Sequence, residues 1–340
     1  MKNNTKKAES LVSVIIPVYN GEKYIQNAIN TVMGQTYPNI ELIMINDGSK
    51  DDSATILQQI QCDNAEKGIK IIQQENQGIC RTRNCGLDLA AGEYVMFMDQ
   101  DDTMKSDCVE QLVNVMEQEN ADMVIGGFEL IDSAGRQLEN WKLDPKYIWS
   151  KFRINAPWGR LFKRQIIEAY NIRFMETKIS EDFYFNYLYM SYCNKIVVTE
   201  YVGYGWLYNE KSESHSNMSQ FAEDRNPLVM MTTLQKDMKV PNILEDEYLE
   251  YAMVKHIIWY LFYVAKSMQT KDLLKMHQNC MQWLEKYYTG YKKNKLFSIC
   301  VHFNEPMGEA FKTRMIVKAG VLLERLGILK NILKVYSKLK

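Results

Sequence analysis

Up to about residue 220 the hydrophobic positions fall into short unbroken runs, each followed by a stretch whose apolar residues recur every three or four positions. The runs Leu11–Pro17, Ile40–Ile45, Ile69–Gln73, Tyr94–Met98 and Met123–Gly127 predict strands, and Lys23–Met33, Ser53–Ile60, Ile79–Ala91 and Asp107–Glu119 predict the helices between them. Continuous apolar strands spaced by such helices indicate a mostly parallel sheet covered on both faces, because only a sheet buried on two sides needs apolar residues at every strand position. The expected fold is therefore α/β, doubly wound. A polar cluster ends each of the first four strands: Tyr19-Asn20-Gly21, Asn46-Asp47-Gly48-Ser49, Glu75-Asn76-Gln77-Gly78 and Asp99-Gln100-Asp101-Asp102. Ligands of open parallel sheets bind beyond the carboxyl ends of the strands, so these four clusters are expected to meet in one crevice.

From about Phe221 the alternation gives way to long helical segments. Leu249–Ser267 is apolar over most of its circumference and is expected to be buried. The tail sets Met315, Ala319, Leu322, Leu326, Leu329, Leu333 and Tyr336 four and three residues apart, a stripe of heptad type amid Lys312, Arg314, Lys318, Arg325, Lys330, Lys334, Lys338 and Lys340. Such a stripe can seal the tail onto its own domain, join a second subunit, or lie on an anionic membrane surface. Gly320 and Gly327 each weaken a free helix by about 1 kcal/mol, so a partner surface is expected. The organisation read from this pattern is a disordered tail over 1–10, a ligand-binding domain over 11–220 and a helical region over 221–340.

With 46% hydrophobic and 24% charged residues in 340, the chain can bury a sizeable core. The formal charge of −1 hides a division: residues 1–220 carry 22 Lys and Arg against 30 Asp and Glu, and residues 221–340 carry 19 against 12. The two parts are expected to face different partners. Seven scattered cysteines without a CxxC pair suit free thiols in a reducing compartment. The first ten residues are polar, unlike a signal peptide, and the apolar stretches Leu11–Val18 and Ile257–Ala265 fall short of the roughly 20 residues of a membrane span. A cytoplasmic location, with contact to the inner face of the membrane left open, is the expectation.

Carboxylates one residue apart at a strand end, as at Asp99 and Asp101, can hold a hard divalent cation; alternatively Asp102 or Asp107 simply caps a helix. Asp47 can accept from a base or ribose, or merely shape an Asp-Gly turn. Arg81, Arg83 and Asn84 follow Gly78 on a helix, where an arginine can pair with phosphate or steady an acidic turn.

Taken in order, Val14-Ile15-Ile16-Pro17-Val18-Tyr19-Asn20, Asn46 to Asp51, Asn76-Gln77-Gly78 with Arg81, Arg83 and Asn84, and Gly92-Glu93-Tyr94 leading into Asp99-Gln100-Asp101-Asp102 resemble a family 2 glycosyltransferase of the GT-A fold over about residues 11–220. The resemblance implies an inverting, UDP-sugar-dependent enzyme using Mn²⁺ or Mg²⁺, without a nucleic-acid partner. Its acceptor would be a glycan or a lipid-linked molecule, as in bacterial cell-surface polysaccharide synthesis. Pro17, Tyr19, Asp47, Asn76, Gly78, Arg81, Arg83 and Asp99 would lie on the donor side. Asp101, Asp99 and His215 would serve the metal; Gln100 is a less usual middle residue of the DxD motif. Glu181 and Asp182 match the catalytic-base motif, with the base at Asp182, and both also suit a helix start as mere N-terminal charges. Trp158 and Gly159 match a loop shaping the acceptor side, where Trp158 either stacks on a sugar or is structural. His215 either completes the site or is a surface residue.

Two other classes stay open. A nucleotidyltransferase shares the architecture, but usually shows a Gly-rich, basic loop where this chain has Val18-Tyr19-Asn20-Gly21. A non-catalytic scaffold or glycan-binding subunit has no need of the Glu181-Asp182 pair. A processive synthase would carry a Gln-x-x-Arg-Trp motif, absent from this sequence.

Overall fold

The computed structural model describes residues 9–64, 68–209, 225–239, 246–298 and 311–338. Residues 1–8 of the tail expected over 1–10, His215 and Cys300 lie outside the described residues, whereas Ser10 is 6% exposed and its carbonyl accepts from Tyr37 Oη at 2.6 Å. The chain divides into two compact units: one comprising residues up to Leu143 with Asn155–Glu176 and Glu181–Tyr208, the other comprising Asp144–Ile154, Thr177–Ser180 and the residues from Asn209 onward.

The first unit runs β1 (Val12–Val18), α1 (Ile25–Met33), β2 (Ile40–Asp47), α2 (Ser53–Asp63), β3 (Ile69–Gln74), α3 (Ile79–Leu89), β4 (Tyr94–Phe97), β5 (Thr103–Met104), α4 (Cys108–Glu119), β6 (Met123–Ile131), β7 (Gln137–Trp141), β8 (Arg160–Lys163), α5 (Arg164–Ala169), α6 (Glu181–Tyr192) and β9 (Ile196–Leu207). Among the described residues the strands form one sheet in the order β3-β2-β1-β4-β8-β6-β9-β5, with β7 on β6. The strands β1 to β4, β6 and β9 share one direction, whereas β5, β7 and β8 oppose them. The sheet is therefore mixed and mostly parallel. All seven residues of β1 are buried, as its place between β2 and β4 requires. The β1–β4 ladder ends at Ile15 and Phe97, so Pro17 sits beyond it on that side, where its missing N–H leaves no gap.

A buried carboxylate ties the amino ends of these elements together. Glu41 accepts from Ser13 Oγ at 2.5 Å and from the amides of Ala91 and Gly92 at 2.6 and 3.0 Å, and pairs with Lys70 at 2.7 Å. Burial alone would raise its pKa; Lys70, Ser13 and the Ala91 amide outweigh that and hold it below the usual value.

The second unit is helical: α7 (Pro227–Asp237), α8 (Asp246–Val264), α9 (Thr270–Tyr287), α10 (Phe311–Arg325) and α11 (Leu329–Tyr336). As its composition predicts, α8 is buried on most sides, with Tyr251, Met253, Val254, Ile257 and Leu261 all at 0% exposure. The tail departs from the single stripe expected over Met315 to Tyr336. Gly327, at φ 69°, ends α10 in the left-handed conformation that glycine adopts most cheaply, and a second helix begins at Leu329. In α10 the buried side is Val317, Gly320 and Val321, not Met315 and Leu326. Close packing against α8 decides this, because a Cβ at Gly320 would stand 2.8 Å from Ile258 Cγ2.

The approach of α3 to the sheet is equally tight: a Cβ at Gly86 would lie 2.3 Å from Ile15 Cγ2. Gly86→Val should therefore cost about 1–3 kcal/mol of stability, the range for overpacked cores. Urea unfolding followed by circular dichroism measures it, and a wild-type midpoint would contradict the close packing.

Candidate functional site

The chain leaves β4 at Phe97 and turns through Asp99–Asp102, and this turn is fastened from beneath. Asp102, 1% exposed, accepts from Tyr204 Oη at 2.5 Å and from the Leu207 amide at 2.9 Å, both on β9. Tyr204 Oη in turn accepts the Asp99 amide at 3.1 Å. Asp102 thus caps no helix; it bonds the acidic turn to the neighbouring strand. Asp107 precedes α4 but makes no side-chain cap, and receives the Tyr201 hydroxyl at 2.5 Å instead.

Gln100 fastens the same turn to the end of β1. Its side-chain oxygen accepts the Tyr19 amide at 3.0 Å and its Nε2 donates to the Tyr19 carbonyl at 2.9 Å. Neither Asp101 nor Asp102 has an ion-pair partner among the described residues, and Asp102 is engaged by Tyr204 and Leu207. Burial, then the charge of Asp99, pushes the pKa of Asp101 up to about 6, and Asp102 is pushed well above its usual value by burial and by both neighbours. Acidic groups crowded so that they resist ionisation are what a bound cation relieves.

Arg83 joins this turn to the start of α6. Only 4% exposed, it places Nη1 2.6 Å from Asp182 Oδ1 and Nη2 3.0 Å from Asp99 Oδ1. Burial works against its charge, but Asp182, Asp99 and Glu181 more than compensate and raise its pKa above the ordinary arginine value. Its guanidinium carbon lies 5.2 Å from the centroid of Phe174, whose ring stacks on Phe185 of α6 at 4.1 Å. Asn84 holds that segment by bonding the Phe174 carbonyl and amide at 2.9 and 2.8 Å. The consequence is a shared geometry for acids far apart in sequence: one guanidinium joins Asp99 to Asp182, and Asp101 follows Asp99 in the same turn.

Asp182 is also altered by this setting. Burial raises its pKa to about 7; the Arg83 charge opposes the rise, and the charges of Glu181 and Asp99 add to it. Its side chain is 28% exposed, and its Oδ2 has no hydrogen-bond partner among the described residues. One carboxylate oxygen is thus fixed and the other is open. Glu181 stands beside it in the first turn of α6, directly after Ser180 at φ 63°.

The remaining sequence candidates take several places. Tyr19 is 40% exposed at the end of β1 and follows Pro17 and Val18. Asp47 is 3% exposed and uses both oxygens internally, accepting from the amides of Gln77 and Gly78 at 2.8 and 2.9 Å and from Gln74 Nε2 at 2.7 Å. It anchors the loop that starts α3, so it fixes the position of Arg83 indirectly. Asn76 backs onto Gly48, where a Cβ would meet its amide nitrogen at 2.7 Å. Gly78, at φ 85°, makes the turn into α3. Arg81 points outward and pairs with Glu176 at 2.8 Å, both more than half exposed. Trp158 is 6% exposed with its ring stacked on Tyr204 at 4.6 Å, so that face is already covered; Gly159 follows it at φ 67°.

Among the described residues no three His, Cys, Asp or Glu side chains form a complete ligand set. Asp101 and Asp99 fit a cation that draws its other oxygen ligands from a diphosphate and water, as Mg²⁺ and Mn²⁺ do. The contributions of Tyr204, Gln100 and Asp102 were not assigned from sequence. Gln100 and Asp102 adjoin the acidic pair and so carried a signal, whereas Tyr204 lies about a hundred residues away with none.

Residues 13–176 match the family model described as glycosyl transferase family 2. Glycosyltransferase GlyA of Streptococcus pneumoniae serotype 4 is 31% identical over 193 residues, covering 52% of this chain and 27% of that protein. Putative glycosyltransferase EpsH of Bacillus subtilis (strain 168) is 34% identical over 190 residues, covering 52% and 54%. The chain therefore spans about half or less of the length of these relatives. Among solved structures, residues 1–349 of S. aureus TarS share the fold with a TM-score of 0.71 at 18% identity, over 96% of this chain and 91% of that one. Over residues 13–176 this chain belongs to glycosyl transferase family 2, and its fold is of the GT-A type.

Proposed function

We propose that this chain moves one sugar from a UDP-sugar to a hydroxyl of a glycan or lipid-linked acceptor, with inversion, in the synthesis of a bacterial surface polysaccharide. The observation that carries the reading is Arg83, whose two ion pairs put the acidic turn and Asp182 in one site. The donor class rests on the family resemblance and on the fold shared with TarS, which was solved as a complex with UDP-GlcNAc.

Asp182 is the proposed base. Oδ1 is held by Arg83, so Oδ2 can receive the proton of the acceptor hydroxyl while that oxygen bonds to the anomeric carbon. The bond from the anomeric carbon to the diphosphate breaks in the same displacement, and its electron pair leaves with UDP. A single displacement inverts configuration. Asp101 and Asp99 would hold Mn²⁺ or Mg²⁺, which supplies positive charge against the departing diphosphate. Tyr19, held by Gln100 through its main chain, and Pro17 would bound the uridine side, with Gly159 on the acceptor side. The reading places the protein in the cytoplasm.

Asp182→Asn should keep UDP binding while transfer falls by ~10² or more, the scale of lost general-base catalysis. Turnover of UDP-sugars by the purified variant at near wild-type rate would remove Asp182 from the mechanism.

In the wild type, kcat/KM should rise with pH and level off above about 7, because a raised carboxylate pKa leaves the base protonated below that value. A profile flat from pH 5.5 to 8 would contradict the assignment.

Asp101→Ala should abolish the Mn²⁺-dependent part of UDP binding, measured by titration calorimetry with and without the ion. Unchanged binding would locate the cation elsewhere.

A further inference from the structure

Among the described residues, α10 and α11 each show one buried apolar side and a second that is exposed, with the break at Gly327 between them. In α10, Val317, Gly320 and Val321 are buried, yet Phe311, Met315 and Leu326 are 61%, 38% and 62% exposed. At 100° per residue these three, with Leu322, share an arc of about 60°. In α11, Leu329 and Leu333 are buried at 0%, while Ile328, Ile332 and Val335 are exposed at 39%, 41% and 58% on an adjoining arc.

The exposed charges that α10 and α11 themselves carry all have one sign. Residues 311–338 contain seven Lys and Arg and one acid, Glu324. That acid is turned inward, 2.8 Å from His277 Nε2, and its pKa is lowered chiefly by that hydrogen bond. Lys318 is likewise buried and donates to the Ser298 carbonyl at 2.8 Å; Arg314 is 8% exposed. The exposed cations are Lys312, Arg325, Lys330, Lys334 and Lys338, with no exposed carboxylate among them in this stretch.

We propose that α10 and α11 form a docking surface for an anionic lipid bilayer. A second copy of the chain would meet this patch with itself, since a two-fold contact is isologous, and would set five cations against five. An anionic interface complements them instead. Its acyl boundary receives Met315, Leu326, Ile332 and Val335, and the lysine stems reach past it to the headgroups. The attraction to phosphate is worth roughly a fivefold gain in partitioning for each Lys or Arg near the surface. This inference does not depend on glycosyl transfer.

The test is flotation of the full chain with phosphatidylcholine vesicles with and without 30% phosphatidylglycerol. Two variants accompany it: Leu326→Glu with Ile332→Glu, and Lys330→Gln with Lys334→Gln and Lys338→Gln. All five positions are exposed, and an unchanged melting curve verifies that each variant folds. The proposal expects binding only to the anionic vesicles, weakened by salt, lost in the glutamate variant and reduced about 100-fold in the glutamine variant. Absence of binding, equal binding to neutral vesicles, or binding indifferent to both variants would overturn it. So would a dimer in sedimentation that Ile332→Glu dissociates, which would give the surface to a second copy.

Discussion

A guanidinium at 4% exposure has to be matched by negative charge, and in this protein that requirement organises the site. Arg83 draws Asp99 from the end of one strand and Asp182 from the first turn of a helix 99 residues away in sequence. Its own helix is fixed at several points: Asp47 ties down the loop that begins it, Asn84 bonds the Phe174 segment, and Gly86 brings it against Ile15. Truncating Arg83 would leave two carboxylates crowded with nothing between them. The arrangement is thus a partial charge balance, one cation set between two carboxylates.

The same balance explains why the acids differ in character although their side chains are alike. Asp102 spends both oxygens on β9 and is structural. Asp99 shares Arg83 with Asp182. Asp101 has no ion pair among the described residues, and Asp182 commits one oxygen to Arg83 and keeps the other open. Position in a hydrogen-bond network, more than residue type, separates scaffold from chemistry.

The strands and helices of the first half were legible because their periodicity is set by burial, and buried positions cannot be polar without a partner. The polar clusters at strand ends were legible for the complementary reason. Sequence could not show that Asp47 would turn its carboxylate onto its own loop or that Tyr204 would cover Trp158, since both depend on contacts between residues 27 to 46 positions apart or more. The tail was misread for a definable reason as well. A heptad stripe shows which residues could share a face, but the small residue Gly320 decided which face α8 accepts. In that unit steric fit overruled hydrophobicity.

The amide of Gln100 occupies the space beside Gly21, where a Cβ would come within 2.2 Å of its Oε1. The two positions therefore constrain each other across 79 residues of chain. A descendant that exchanged Gln100 for a shorter residue would lose the brace on Tyr19 and the nearest obstacle to a side chain at position 21, where Ile25 Cγ1 would still stand 3.2 Å from a Cβ. Gly21 is in this sense a record of Gln100, and evolutionary change at either position is expected to follow change at the other.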